Sequence, residues 1–179
     1  MLFSETKIGG VFRIELERRE DERGYFARTW SRDDFVHEGL VAEYVQSSVS
    51  YNTKARTLRG MHYQAAPRAE TKIITCLRGA IYDVAVDLRP HSSTFRQWTA
   101  TTLSSDALQM LYVPEGCAHG FLTLTPEAVV HYQISEIHSP GCSRGVRWND
   151  PAFAIEWPAN PDVISERDAK YPDFQPPEP

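Results

Sequence analysis

Five side chains that can move protons or hold negative charge stand in strand-like or turn-like sequence: His62, Lys72, Asp83, His119 and Tyr132. His119 closes Pro114-Glu115-Gly116-Cys117-Ala118-His119, a Pro-x-Gly-x-x-His turn that can aim an imidazole into a barrel or simply bury it. His62 sits in Leu58-Arg59-Gly60-Met61-His62-Tyr63-Gln64 and reads either as a core histidine or as a base facing a cavity; residue type alone favours the core. Lys72 opens an apolar strand on the parity of Ile74 and Cys76, where a lysine ordinarily reaches solvent. If that strand pairs with the next through Arg78-Gly79, Asp83 comes to lie nearly opposite Lys72, and the two charges hold a site in register. Tyr132 shares a strand face with Val130 and Ile134, a position where most tyrosines only pack. A catalytic metal site needs about three protein donors, and beside His119 the earlier segment offers only His62-Tyr63-Gln64, with no second histidine in step.

The elements that must position these residues are mostly strands. Residues 72–77 and 80–88 read as two strands joined by a tight turn. In the second, Tyr82, Val84, Val86 and Leu88 alternate with Asp83, Ala85 and Asp87, a greasy face against a carboxylate face. Residues 97–103, 108–113, 120–124 and 129–134 continue the pattern, punctuated by Ser104-Ser105-Asp106, Pro114-Glu115-Gly116 and Thr125-Pro126-Glu127. Many short strands at this spacing predict an all-β jelly roll. Two short helices follow from the capping pairs Ser31/Asp34, with Gly39 as the stop, and Ser165/Asp168 before Pro172. Six of the twelve prolines fall in the last 22 residues, so the tail from about residue 158 is expected to be extended and irregular.

Composition narrows the function. The 179 residues suit one domain spanning 1–179. With 19 Lys+Arg against 24 Asp+Glu the formal charge is −5, which argues against a nucleic-acid partner. The first 20 residues carry charges throughout, and no run approaches the roughly 20 apolar residues of a membrane span. Cys76, Cys117 and Cys142 are an odd number without CxxC spacing, unlike a disulfide framework or a zinc site. The expectation is a soluble, cytoplasmic protein without membrane contact.

Taken together and in order, five motifs are far more specific than any one of them. Asp21-Glu22-Arg23-Gly24-Tyr25-Phe26, Leu58-Arg59-Gly60-Met61-His62-Tyr63-Gln64, Asp83-Val84-Ala85-Val86-Asp87-Leu88-Arg89, the Pro114–Phe121 run and Trp148-Asn149-Asp150-Pro151 resemble the dTDP-4-dehydrorhamnose 3,5-epimerase family from about residue 8 to about 172. The resemblance implies a metal-free, cupin-like jelly roll, a homodimer, acting on a nucleotide-linked 4-keto-6-deoxyhexose without a redox cofactor. It implies that His62 is the base and Tyr132 the acid, that Lys72 stabilises an enolate at the C4 oxygen, and that Asp168 orients His62. It implies substrate-binding positions at Arg23, Phe26, Gln46, Arg59, Asp83, His119 and His138, with Arg28 near the nucleotide.

Departures from the family pattern fall on the nucleotide side. Ile137-His138 stands where an aromatic pair is common, Arg28 and Ser143 where glutamates are usual, and Gln46-Ser47-Ser48-Val49-Ser50 in place of a Gln-Asp-Asn run. The catalytic set matches and the base-recognition set is altered, which leaves two expectations: weaker discrimination for thymine, or replacement contacts from neighbouring loops with dTDP still the substrate. The rival readings are an epimerase acting at C3 or C5 alone or on another nucleotide sugar, and an idle sugar-binding cupin-like protein. A metal-dependent cupin enzyme lacks its His-x-His pair.

Overall fold

The computed structural model describes residues 1–176. Its strands are β1 (Leu2–Glu5), β2 (Phe12–Glu15), β3 (Arg18–Asp21), β4 (Gly24–Ala27), β5 (Gln46–Asn52), β6 (Thr57–Gln64), β7 (Lys72–Arg78) and β8 (Ala80–Asp87), then β9 (Trp98–Ser104), β10 (Gln109–Val113), β11 (Cys117–Thr123), β12 (Ala128–Ile134), β13 (Ser143–Gly145) and β14 (Val163–Ile164). Two short helices, α1 (Arg32–His37) and α2 (Glu166–Ala169), complete the list. One sheet runs β1-β2-β10-β7-β12-β5 and a second runs β13-β6-β11-β8-β9, with β14 beside β6; β3 and β4 form a separate hairpin. This is the expected cupin-like jelly roll.

The two large sheets enclose a shared core. Ile74, Cys76, Leu111 and Val130 from the first meet Ile81, Ala85, Leu103, Cys117 and Phe121 from the second. Burying such side chains between two layers is what stabilises a sandwich, at about 1.5–3 kcal/mol for each large apolar residue. Each sheet's other face is covered too. Phe35 of α1 packs with Ile14, Ile73 and Met110 on the first sheet. Phe153, Ile155, Trp157 and Phe174 from the C-terminal third cover Met61, Val84 and Val86 on the second.

Two expectations need correction. Strands 72–78 and 80–87 are joined by a tight turn at Gly79 (φ +75°), but they do not pair. β7 hydrogen-bonds to β10 and β12, and β8 to β11 and β9, so the turn carries the chain from one sheet to the other. Lys72 and Asp83 therefore stand on different sheets rather than opposite each other along a hairpin, and the charge of Lys72 acts on Asp83 from the other layer. The alternation in β8 also has a different meaning: Asp83 and Asp87 lie on the inner face with Ala85 and are fully buried, while the C-terminal segment covers the greasy face.

The helices are where the capping pairs put them. Ser165 accepts the backbone N–H of Asp168 at 3.1 Å, whereas the Ser31 side chain makes no capping bond. The proline-rich tail is more ordered than expected. β14 pairs in parallel with β6, and Phe174 packs on Phe153 with ring centroids 5.0 Å apart. Asp150 accepts the Phe174 N–H at 2.6 Å, so the Trp148–Pro151 motif anchors this strap. Residues 177–179 of the tail lie outside the described residues.

Candidate active site

A cavity of about 640 Å³ opens between the sheets, and Arg59, His62, Lys72, His119, Tyr132 and Asp168 all line it. Parity explains most of this convergence. Lys72 follows Ile74 and Cys76 inward on β7, Tyr132 follows Val130 on β12, and His119 lies between inward Cys117 and Phe121 on β11.

Strand β6 needs a distortion. Arg59 and His62 are three residues apart, which on a regular strand would send them to opposite faces. The register against β11 shifts between His119↔His62 and Phe121↔Arg59, so three residues of β6 span two of β11 and both side chains reach the cavity. Gly60, at φ +132°, occupies the bulge, and a Cβ there would stand 2.5 Å from Gly120 Cα. The glycine is required by conformation and by space.

His62 is engaged from behind. Its Nε2 lies 2.7 Å from Asp168 Oδ1, while Asp168 Oδ2 accepts the Gly60 N–H at 3.2 Å. The imidazole is about one-third exposed and the carboxylate nearly enclosed. Burial pushes the Asp168 carboxyl up, but the bond to His62, that imidazole's charge, the Gly60 N–H and Ser165 outweigh it and hold the group below its ordinary value. An ionised Asp168 on Nε2 leaves Nδ1 as the ring nitrogen that can take a proton.

Beside it lies a second imidazole–carboxylate pair. His119 Nε2 is 2.7 Å from Asp83 Oδ1, both side chains buried. Burial pushes Asp83 upward, with His119 and Lys72 pulling it back. Asp83 does not itself line the cavity; it backs His119. The Tyr132 ring stands edge-on to His119, centroids 6.3 Å apart, and its Oη is 3.3 Å from Ser50 Oγ. Burial raises the phenol above its ordinary value, with Ser50 drawing it back, so Tyr132 is protonated at neutral pH. The Lys72 ammonium sits 2.8 Å from Glu70 Oε1 and 3.3 Å from the His62 carbonyl oxygen.

Also on the cavity wall, Arg59 donates through Nε to Asn52 Oδ1 at 2.7 Å. His138 lines the wall, and its backbone N–H donates to Gln46 Oε1 at 2.7 Å, so Gln46 fixes the segment that carries His138. Arg167 donates to Ser143 Oγ at 3.0 Å beside it. Of the expected residues, Gln46 and Asp83 stand behind the lining, and three more lie apart from it. Arg23 is exposed on the β3–β4 hairpin against Asp21, and Phe26 and Arg28 border a separate small cavity with Arg19, Asp33 and Asp34. Sequence reasoning missed Glu70 and Arg167. The spacing Glu70-x-Lys72, which puts both side chains on one face of an extended segment, was the available signal for the first. Among the described residues, no three of His, Cys, Asp and Glu are placed to hold a metal ion.

Comparison with known proteins bears on the same geometry. The family model for dTDP-4-dehydrorhamnose 3,5-epimerase matches residues 5–176. The dTDP-4-dehydrorhamnose 3,5-epimerase of Methanothermobacter thermautotrophicus is 38% identical over 172 residues, covering 94% of this chain and 92% of its own. A dTDP-4-dehydrorhamnose 3-epimerase from Streptomyces niveus is 36% identical, covering 90% of this chain and 78% of its own. The crystal structure of dTDP-4-dehydrorhamnose 3,5-epimerase from Bacillus anthracis with TDP and PPi bound superposes with a TM-score of 0.93 at 40% identity, covering 97% of this chain and 99% of that one. Motif order, jelly-roll topology and whole-chain similarity agree: the chain belongs to the dTDP-4-dehydrorhamnose 3,5-epimerase family, enzymes of the isomerase type.

Proposed function

We propose that the chain converts dTDP-4-dehydro-6-deoxy-D-glucose to dTDP-4-dehydro-L-rhamnose, inverting C3 and C5 by proton transfer through an enolate. The observation that carries the reading is the His62–Asp168 pair on one sheet facing Tyr132 on the other across a single cavity. A 4-keto group acidifies the C–H bonds at C3 and C5. His62 Nδ1 takes the proton from one face, and the electron pair moves into the ring to leave negative charge on the C4 oxygen. Lys72 offers an N–H to that oxygen, in a partly enclosed site where such stabilisation is strongest. Tyr132 then gives its proton to the same carbon from the opposite face, and solvent restores Tyr132 and His62 before the second carbon reacts. Arg59, His119 and His138 are assigned to holding the substrate, with Gln46 fixing the segment that carries His138.

A homodimer in the cytoplasm completes the reading. Arg23, Phe26 and Arg28 stay in the proposed substrate-binding set as groups supplied to the cavity of a second copy, since none of them lines the cavity of its own chain. A second reading, inversion at C3 alone, is favoured by the 3-epimerase from Streptomyces niveus. Incubation with dTDP-4-keto-6-deoxyglucose in deuterated water separates the two. Label at C3 and C5 with rhamno-configured product supports the 3,5-epimerase, label at C3 alone the second reading, and label at neither overturns both.

A further inference from the structure

An ammonium carries three N–H donors and no acceptor on a long, rotatable stem, so a lysine that must meet one oxygen has to be held. Lys72 is held twice here. Glu70 Oε1 accepts one donor at 2.8 Å and the main-chain oxygen of His62 accepts another at 3.3 Å. The Glu70 and Lys72 side chains are only 9% and 11% exposed, so solvent screening does not dissolve this pair as it does surface ion pairs. The backbone between them is pinned as well: Thr71 donates its N–H to Ser135 Oγ at 2.8 Å and accepts the Ser135 N–H at 3.0 Å.

A competing acceptor lies across the layer. Asp83 Oδ2 is buried without a hydrogen-bond partner, and the charge of Lys72 is felt at that carboxyl. An ammonium released from Glu70 is still drawn by that carboxyl, so Glu70 is what keeps it in its present place. We propose that Glu70 is a positioning residue for the reaction: its carboxylate, with the His62 carbonyl, fixes Lys72 so that the third N–H stays directed at the cavity, where the charge of the enolate oxygen develops. This rests on the reading of Lys72 as the group that stabilises that oxygen. Such preorganisation raises turnover rather than ground-state binding, because the interaction strengthens only as charge forms.

The test uses Glu70→Gln, Glu70→Ala, Lys72→Ala and the Glu70→Ala/Lys72→Ala double variant, read by kcat, KM and solvent deuterium exchange. Glu70→Ala is expected to lower kcat by about 10- to 100-fold, and Glu70→Gln, which keeps a neutral acceptor, by about 3- to 10-fold, each with KM within about threefold of native. In the Lys72→Ala background the loss of Glu70 is expected to cost nothing further, since Glu70 acts only through Lys72. Native kcat in Glu70→Ala overturns the inference, as does a further tenfold loss in the double variant, which would place Glu70 on the substrate itself. If Glu70→Ala fails to fold, native kcat in the isosteric Glu70→Gln overturns it. Failure of the underlying reading shows separately, as native exchange in Lys72→Ala alone.

Discussion

Replacing Asp168 by asparagine keeps the shape of the side chain and changes one property that the site depends on. The carboxylate now accepts from two sides, from His62 Nε2 at 2.7 Å and from the Gly60 N–H at 3.2 Å. Asparagine has one acceptor and one donor end, and the Gly60 N–H is buried and can only donate. The amide oxygen must therefore face Gly60 and the NH2 must face His62, which forces Nε2 to accept and moves the ring proton to Nδ1, the atom proposed as the base. Turning the amide round restores the tautomer but leaves two donors facing each other at Gly60, at about 1–3 kcal/mol. Either arrangement also loses the charge that stabilises the imidazolium, about another 1–2 kcal/mol for exchanging a charge-assisted bond for a neutral one. The sum, about 2–5 kcal/mol, centres on a 10²- to 10³-fold loss of kcat. The assay is solvent deuterium incorporation at C3 and C5 by NMR, beside steady-state KM and a thermal melt. Exchange within threefold of native in a folded Asp168→Asn protein would refute the reasoning.

Four further outcomes are expected. Tyr132→Phe removes the proposed acid yet leaves the proposed base, so inversion should fall by about 10²- to 10⁴-fold while deuterium exchange falls by less than about tenfold, measured on the same samples. Asp87 is buried, which raises its carboxyl, but bonds from Arg89, Ser92 and Thr94 outweigh burial and hold it at about 2 instead of 3.8. Its folded value lies below its unfolded one, so its stabilisation is present above about pH 4 and vanishes as pH falls toward 2; urea unfolding at both pH values should show a loss of about 2 kcal/mol in the native protein that Asp87→Asn lacks. Gly60→Ala puts a Cβ against the Gly120 backbone at φ +132°, and should cost about 2–4 kcal/mol in urea unfolding together with most of the activity, because the Asp168 acceptor site moves. Titration calorimetry of dTDP, UDP, CDP and GDP should show dTDP preferred by less than about 1.4 kcal/mol, given His138 on the cavity wall; a larger preference would refute the altered-base expectation.

Local patterning was enough to place β7 to β12, because period-2 alternation in β8 or β12 is a property of a few consecutive residues, but it gave no sign of β5, β13 or β14. Whether two such strands pair is not a local property. Arg78-Gly79 looks like a hairpin turn, and the same geometry serves a chain that folds over from one sheet onto the other, so the partners of β7 and β8 could not be read from the segment itself. For the same reason the layers on either side of β8 could not be read from it: the cover of its greasy face comes from residues 70 positions further on, such as Phe153 and Trp157. His62 and Tyr132, judged singly, looked like packing residues. What makes them chemical is the arrival of Asp168, 106 positions away, and of Ser50, 82 away, contacts that no pattern within one strand encodes.

His62 and His119 ride on one sheet, Lys72 and Tyr132 on the other, and Asp168 arrives on a strap beyond both. Among the described residues no single layer holds all five, so a bound nucleotide sugar recognises the closed sandwich and its binding free energy adds to global stability. At a concentration one hundred times its dissociation constant, that addition is about 2.7 kcal/mol. The ligand acts as a fastener between layers, slowing amide exchange in both sheets together rather than around one loop. Where proteases sample the opened chain, the lifetime of the protein then follows the supply of its own substrate.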